Sequence, residues 1–193
     1  EILEKDEIKK LGMNAFLAVG QGSVNEPRFI HLTYCPAATP RKKVALIGKG
    51  ITFDAGGMNI KPATSMLTMK CDMTGAATVL GIIQAMSKLK SDIELHAICA
   101  LCENMTSGSA YKQGDVLTAM NGKTIEVTNT DAEGRITLAD ALSFCDTLDV
   151  DEVIDIATLT GAVTAALGNN ITAVLGNNQK QIDKFLEISA KSA

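Results

Sequence analysis

Short apolar runs alternate with helical patterns along most of this chain. RFIHLTY (28–34), KKVALIGK (42–49), IELHAICAL (93–101) and EVIDIATL (152–159) read as strands, each short and rich in β-branched residues. Helical spacing of apolar positions covers 74–88, 136–148 and 160–168, and an amphipathic helix is expected over 178–193. The first twelve residues, EILEKDEIKKLG, also look helical. VLTAMNGKTIEVTN reads as a hairpin, with Asn121 and Gly122 supplying the turn's positive φ angles, and ITAVLG (171–176) as a last strand. A polar loop is expected over 103–115. Apolar strands interleaved with helices imply an α/β fold: a three-layer α/β/α sandwich around a mixed, mostly parallel sheet. In such sheets a site forms beyond the carboxyl ends of the strands.

Three acid-and-base clusters fall at those places. NTDAEGR (129–135) sets Asp131, Glu133 and Arg135 at alternate positions after the strand-like TIEVTNT. Were the segment extended, all three heads would project to one side. IGKGITFDAGGMNIKP (47–62) carries Lys49, Asp54 and Lys61, and MKCDMTGAA (69–77) carries Asp72 before a helix start rich in small residues. An isolated D-x-E-x-R is as well read as a surface salt-bridge ladder, and an isolated Lys49 as an ordinary ion-pairing lysine. Four carboxylates around one cleft, however, repel one another and raise each other's pKa values unless cations neutralise them. Two divalent ions would do so, as in two-metal hydrolases.

The blocks GKGITFDAGG, NIKP, MKCDMTGAA and NTDAEGRITLADAL, followed by ATLTGA (157–162), resemble in content and order the signature blocks of the leucyl (cytosol) aminopeptidase family. That resemblance implies a metal-dependent enzyme with a zinc-exopeptidase-like fold that releases N-terminal residues, Leu-like ones preferred. It assigns Lys49, Asp54, Asp72, Asp131 and Glu133 as ligands of two divalent metal ions. Asp54 and Glu133 would bridge both ions, Asp131 would serve one, and Lys49 and Asp72 the other. Zn²⁺ and Mn²⁺ lead the metals expected, with Mg²⁺ or Co²⁺ compatible with the same donors. A lysine ligand must be neutral, so a neighbouring dication has to depress its pKa.

Lys61 and Arg135 would be the catalytic residues that bind no metal. By resemblance, Lys61 polarises the scissile carbonyl, and Arg135 holds a bicarbonate that shuttles the proton. The nucleophile would be a hydroxide bridging the two ions, and the substrate's neutral α-amino group would coordinate one of them. Met69, Asn129, Ala132, Thr158, Leu159 and Gly161 fall where the family surrounds the bound peptide; for Met69 and Leu159, core packing accounts for the position nearly as well. Ala55, Asn59 and Thr74 stand where the family commonly has other small residues, and none of the three removes a ligand or a charge.

Composition narrows the partners. The chain has 193 residues, 46% hydrophobic and 21% charged, with a net charge of −4 and acids and bases interspersed. That length suits one domain, and no basic patch argues for nucleic acid. No apolar run approaches the roughly 20 residues needed to cross a bilayer. Cys35, Cys71, Cys99, Cys102 and Cys145 are odd in number and scattered, which speaks for a reducing, cytoplasmic compartment. Cys99 and Cys102 are three apart on a strand and so point to opposite faces; they read as buried hydrophobes. His31 and His96 lie in strands without ligand spacing and read as structural. The chain begins at Glu1 inside a helical pattern. The family's members carry a separate N-terminal domain and continue past the position of Ala193, so the chain is expected to be the first part of a catalytic domain. They assemble as hexamers, and a homo-oligomer is expected on the same ground. A phosphate-binding loop is the first alternative, but GKGITFDAGG lacks both glycine fingerprints and a helix directly after it. A non-catalytic truncated subunit acting as an oligomer scaffold is the second.

Overall fold

The computed structural model describes residues 1–192, which divide into two compact units: one from Glu1 to Leu159 and a smaller one from Thr160 onward. The strands of the first unit are β1 (Ile2–Leu3), β2 (Arg28–Tyr34), β3 (Lys42–Asp54), β4 (Ile93–Asn104), β5 (Val116–Thr118), β6 (Thr124–Glu126) and β7 (Glu152–Ile156). Its helices are α1 (Lys5–Lys10), α2 (Asn14–Gly20), α3 (Ala63–Met66), α4 (Thr74–Leu89) and α5 (Glu133–Cys145). Five strands form one sheet in the order β1-β2-β4-β3-β7, and β5 and β6 pair separately.

β3 lies between β4 and β7 and runs parallel to both, while β1–β2 and β2–β4 are antiparallel. The sheet is mixed, as expected, but only half its pairings are parallel. Residues 44–51, apolar or glycine except for Lys49, are all buried, so the strand is covered on both faces. Val44, Leu46, Leu95 and Ala97 pack with Val79 and Ile83 of α4 on one face. Ala45, Ile47, Ile51 and Ile98 pack with Phe16 of α2 and Ile136 of α5 on the other. Cys99 joins the first cluster and Cys102 the second, so the two thiols do sit on opposite faces. Gly75 lets α4 lie directly on the strands, since a Cβ there would meet the backbone of Ile156 and Lys49.

β3 reaches five residues beyond the expected end at Lys49, and its register against β4 slips between Ile51 and Phe53. Five residues along a regular strand, an odd number, would put Lys49 and Asp54 on opposite faces. The bulge inserts one extra residue, so Asp54 pairs with Asn104 and turns to the face that Lys49 occupies.

Other expectations are corrected. The first residues do not form one helix: Ile2 and Leu3 pair with β2, and α1 starts only after Glu4, whose backbone N–H the Glu7 carboxylate accepts at 2.9 Å. In the β5–β6 hairpin Gly122 alone takes a positive φ, 80°; Asn121 does not. Five residues connect those strands, so the loop is a turn closed by a left-handed glycine rather than a two-residue Asn-Gly turn.

In the second unit, α6 (Ala162–Leu167) and α7 (Gln179–Ser192) form as expected, with Ala193 of the predicted helix outside the described residues. Residues 171–176 form no strand. An alternating apolar segment becomes a strand only when another strand accepts its hydrogen bonds, and this unit contains none among its described residues.

Candidate metal centre

Four segments converge at the carboxyl end of β3. Lys49 and Asp54 come from β3, Lys61 from the loop after it, Asp72 from the turn before α4, and Asp131 from a single 3₁₀ turn, Thr130–Ala132. Glu133 is the first residue of α5. One oxygen each from Asp54, Asp131 and Glu133 lies within 4.8 Å of the others. Lys49 Nζ stands 2.8 Å from Asp72 Oδ1 and 2.8 Å from Glu133 Oε1, joining the fourth carboxylate to the set. Lys61 Nζ meets Asp54 Oδ2 at 2.8 Å and Asp131 Oδ1 at 2.7 Å.

These charges are buried as deeply as core side chains: Lys49 and Asp54 are 2% exposed, Asp72 4% and Glu133 1%. Ionised carboxylates at such depth are costly unless neutralised. Two lysines against four carboxylates leave two negative charges uncompensated. Asp72 Oδ2 and Glu133 Oε2 are buried with no hydrogen-bond partner, and Asp131 Oδ1 meets Lys61 without hydrogen-bond alignment. Burial drives the Glu133 carboxyl up to about 7, with Lys49 pulling it back and Asp54 adding to the rise. Asp72 is raised by burial against the pull of Lys49. Burial works against the Lys49 ammonium, but Glu133 and Asp72 outweigh it and its pKa ends above the ordinary lysine value. Excess negative charge, orphaned carboxylate oxygens and a carboxylate-rich donor set with one amine fit divalent metal ions.

Local sequence explains the convergence. Gly134 faces Lys49 so closely that a Cβ there would lie 2.7 Å from Lys49 Cε and 2.9 Å from Nζ. Thr130, fully buried, stitches the 54–61 loop to the 129–133 segment. Its Oγ donates to Gly56 O (2.7 Å) and accepts from Asn59 N (2.8 Å), while its N–H donates to Asn59 Oδ1 (2.8 Å). Tyr111 Oη donates to Thr130 O at 2.6 Å. Asn104 Nδ2 donates to Asp54 Oδ1 (2.8 Å) and to Thr130 O (3.0 Å). Thr130, Tyr111 and Asn104 escaped the sequence reading. A lone signal was available for Asn104, a polar residue ending an apolar strand.

The extended geometry expected for 129–135 is wrong. The chain coils from Thr130 onward, so Glu133 and Arg135 sit about 200° apart around α5. Arg135 is exposed and forms no ion pair among the described residues. Asp131 and Glu133 converge with Asp54 through the turn, not through strand alternation.

Residues expected around a peptide are less uniform. Thr158 touches the cluster twice: its carbonyl accepts from Lys49 Nζ at 3.0 Å, and its hydroxyl donates to Asp72 Oδ1 at 2.9 Å. Asn129 is exposed and caps the 3₁₀ turn, its Oδ1 accepting Asp131 N at 2.8 Å. Ala132 and Met69 are half-buried at turns next to Glu133 and Asp72, and Leu159 is exposed. Gly161 belongs to the second unit and precedes α6. His31 and His96 take no part in the acidic cluster; they hydrogen-bond each other at 2.9 Å between β2 and β4.

The profile of the cytosol aminopeptidase family, catalytic domain, matches residues 1–193. A probable cytosol aminopeptidase of Gloeobacter violaceus is 59% identical over 181 residues, covering 93% of this chain and 36% of that protein. One of Nostoc punctiforme is 60% identical over 172 residues (89% and 35%), and one of Persephonella marina 54% over 192 residues (100% and 38%). The chain thus spans little more than a third of the length of these relatives. On this agreement along its whole length, the chain belongs to the cytosol aminopeptidase family and matches that family's catalytic domain.

Proposed function

We propose that the protein is a metal-dependent aminopeptidase, hydrolysing the first peptide bond of peptides with a free N-terminus and preferring Leu-like residues. The observation that carries this reading is the set of four carboxylates, three of them buried, with orphaned oxygens and, among the described residues, two lysines to compensate them. Lys49, Asp54, Asp72, Asp131 and Glu133 would hold two divalent ions, Zn²⁺ or Mn²⁺ first. When bound, the ions supply Lewis-acid activation of water and of the scissile carbonyl.

The chain's own residues do the rest. Lys61 remains an ammonium: burial lowers its pKa, but the close Asp131 and Asp54 carboxylates outweigh that and hold it above the ordinary value. It is therefore a donor to the developing oxyanion rather than a base. Arg135, on the first turn of α5 and without a carboxylate partner among the described residues, would hold a bicarbonate, which when bound would supply a proton acceptor at that place. Thr158 keeps Lys49 and Asp72 in place through its two hydrogen bonds. Met69, Asn129, Ala132 and Leu159 would complete the peptide's surroundings. For the whole protein we propose a three-layer α/β/α catalytic domain, assembled as a cytoplasmic hexamer.

The test is hydrolysis of leucine anilide beside its N-acetylated form, after chelation and after return of Mn²⁺ or Zn²⁺. Turnover should stop on chelation, resume with metal, and never occur on the blocked substrate. Turnover that survives chelation, or cleavage of the acetylated anilide, would overturn the reading.

A further inference from the structure

We infer that Asn104 is a positioning residue for the metal centre, fixing the rotation of the Asp54 carboxylate and its spacing from Asp131. The inference rests on the two-metal reading above. It begins with the bulge in β3, which brings Asp54 into register opposite Asn104 at the ends of two parallel strands. Asn104 is fully buried, and its amide nitrogen lies 2.8 Å from Asp54 Oδ1 and 3.0 Å from Thr130 O. Both neighbours are acceptors. Turning the amide over would set a carbonyl oxygen against two oxygens, so its orientation is fixed by chemistry.

The two amide protons thereby tie a residue of β3 to the backbone immediately before Asp131. Asp54 Oδ1 also accepts Gly56 N at 2.8 Å, and two N–H donors on that oxygen leave Oδ2 turned toward the cluster, where Lys61 lies at 2.8 Å. Asn104's own carbonyl Oδ1 is buried with no hydrogen-bond partner. Gly57 approaches that oxygen so closely that a Cβ would lie 2.8 Å from it. A side chain kept for packing alone has no use for a buried polar atom left unsatisfied. The acceptor is sacrificed so that both donors can serve Asp54 and the Asp131 turn. Partners that orient metal ligands in this way typically change metal affinity about 10- to 100-fold when removed.

The experiment measures Mn²⁺ binding by calorimetry, with melting of the metal-free protein in parallel, for wild type, Asn104→Leu and Asn104→Ala. Leu keeps the branch at Cγ without the amide, and Ala covers the case in which Leu does not fit. The visible spectrum of the Co²⁺-loaded forms reports the ligand geometry independently of activity. A folded variant should bind Mn²⁺ about 10- to 100-fold more weakly and show an altered Co²⁺ spectrum. Affinity within twofold of wild type and an unchanged spectrum would overturn this inference alone. Wild type that takes up no Mn²⁺ would overturn the two-metal reading, and this inference with it.

Discussion

Replacing Thr130 by Val removes the stitch between the two ligand-bearing segments while leaving shape nearly constant. Thr130 is fully buried, and Val matches its volume and β-branching, so no cavity contribution enters. What is lost is one hydroxyl that donates to Gly56 O at 2.7 Å and accepts from Asn59 N at 2.8 Å. Each buried group left without a partner costs about 1–3 kcal/mol. Gly56 is buried and its carbonyl should pay in that range, whereas half-exposed Asn59 falls at the lower end. The sum is about 2–4 kcal/mol. Urea unfolding of the metal-free protein should show the midpoint falling at unchanged slope. Thr130→Ser, which keeps the hydroxyl and loses a methyl, should cost about 1 kcal/mol. A Thr130→Val protein within about 0.5 kcal/mol of wild type would refute the reasoning, because an orphaned buried carbonyl cannot be that cheap.

Other consequences are equally direct. Gly134→Ala drives a methyl into Lys49, which is pinned between Asp72 and Glu133, and should cost about 1–3 kcal/mol in thermal unfolding. Glu133 rises from 4.5 to about 7 in the folded state, so the native metal-free protein binds more protons than the unfolded chain between those values. Stability conferred by protonated Glu133 is therefore full below about pH 4.5 and lost as pH rises through 7, a fall of about 3 kcal/mol; Glu133→Gln should flatten it in a pH series of urea melts. Lys61→Met should leave metal uptake intact but lower kcat about 10²- to 10³-fold, read by steady-state kinetics beside metal analysis.

The buried core strands were legible because their apolar runs are continuous; β2 spans the predicted residues, and α4 extends one residue past its predicted end. The acidic residues stood out because carboxylates and lysines interrupt otherwise apolar or glycine-rich segments. Their arrangement was not legible. Lys49 and Asp54 share a face only through a one-residue bulge, which no hydrophobic period announces. Asp131 and Glu133 sit on a 3₁₀ turn and a helix start, where polar residues satisfy strand and helix patterns alike. Asn104 and Thr130 carry no charge, so only their partners across 50 and 71 residues of sequence reveal them. Residues 171–176 carry the strand pattern without a strand to pair with.

The central claim is that this acidic cluster is a two-metal centre, and counting ions tests it most directly. Equilibrium dialysis against Mn²⁺ or Zn²⁺, followed by elemental analysis, should find two ions per wild-type chain, and fewer in Asp54→Asn and Glu133→Gln, which alter the two carboxylates proposed to serve both sites. A wild-type chain that binds no ions, or variants that still bind two with unchanged affinity, would contradict the account and leave the carboxylates as partners of Lys49 and Lys61 alone.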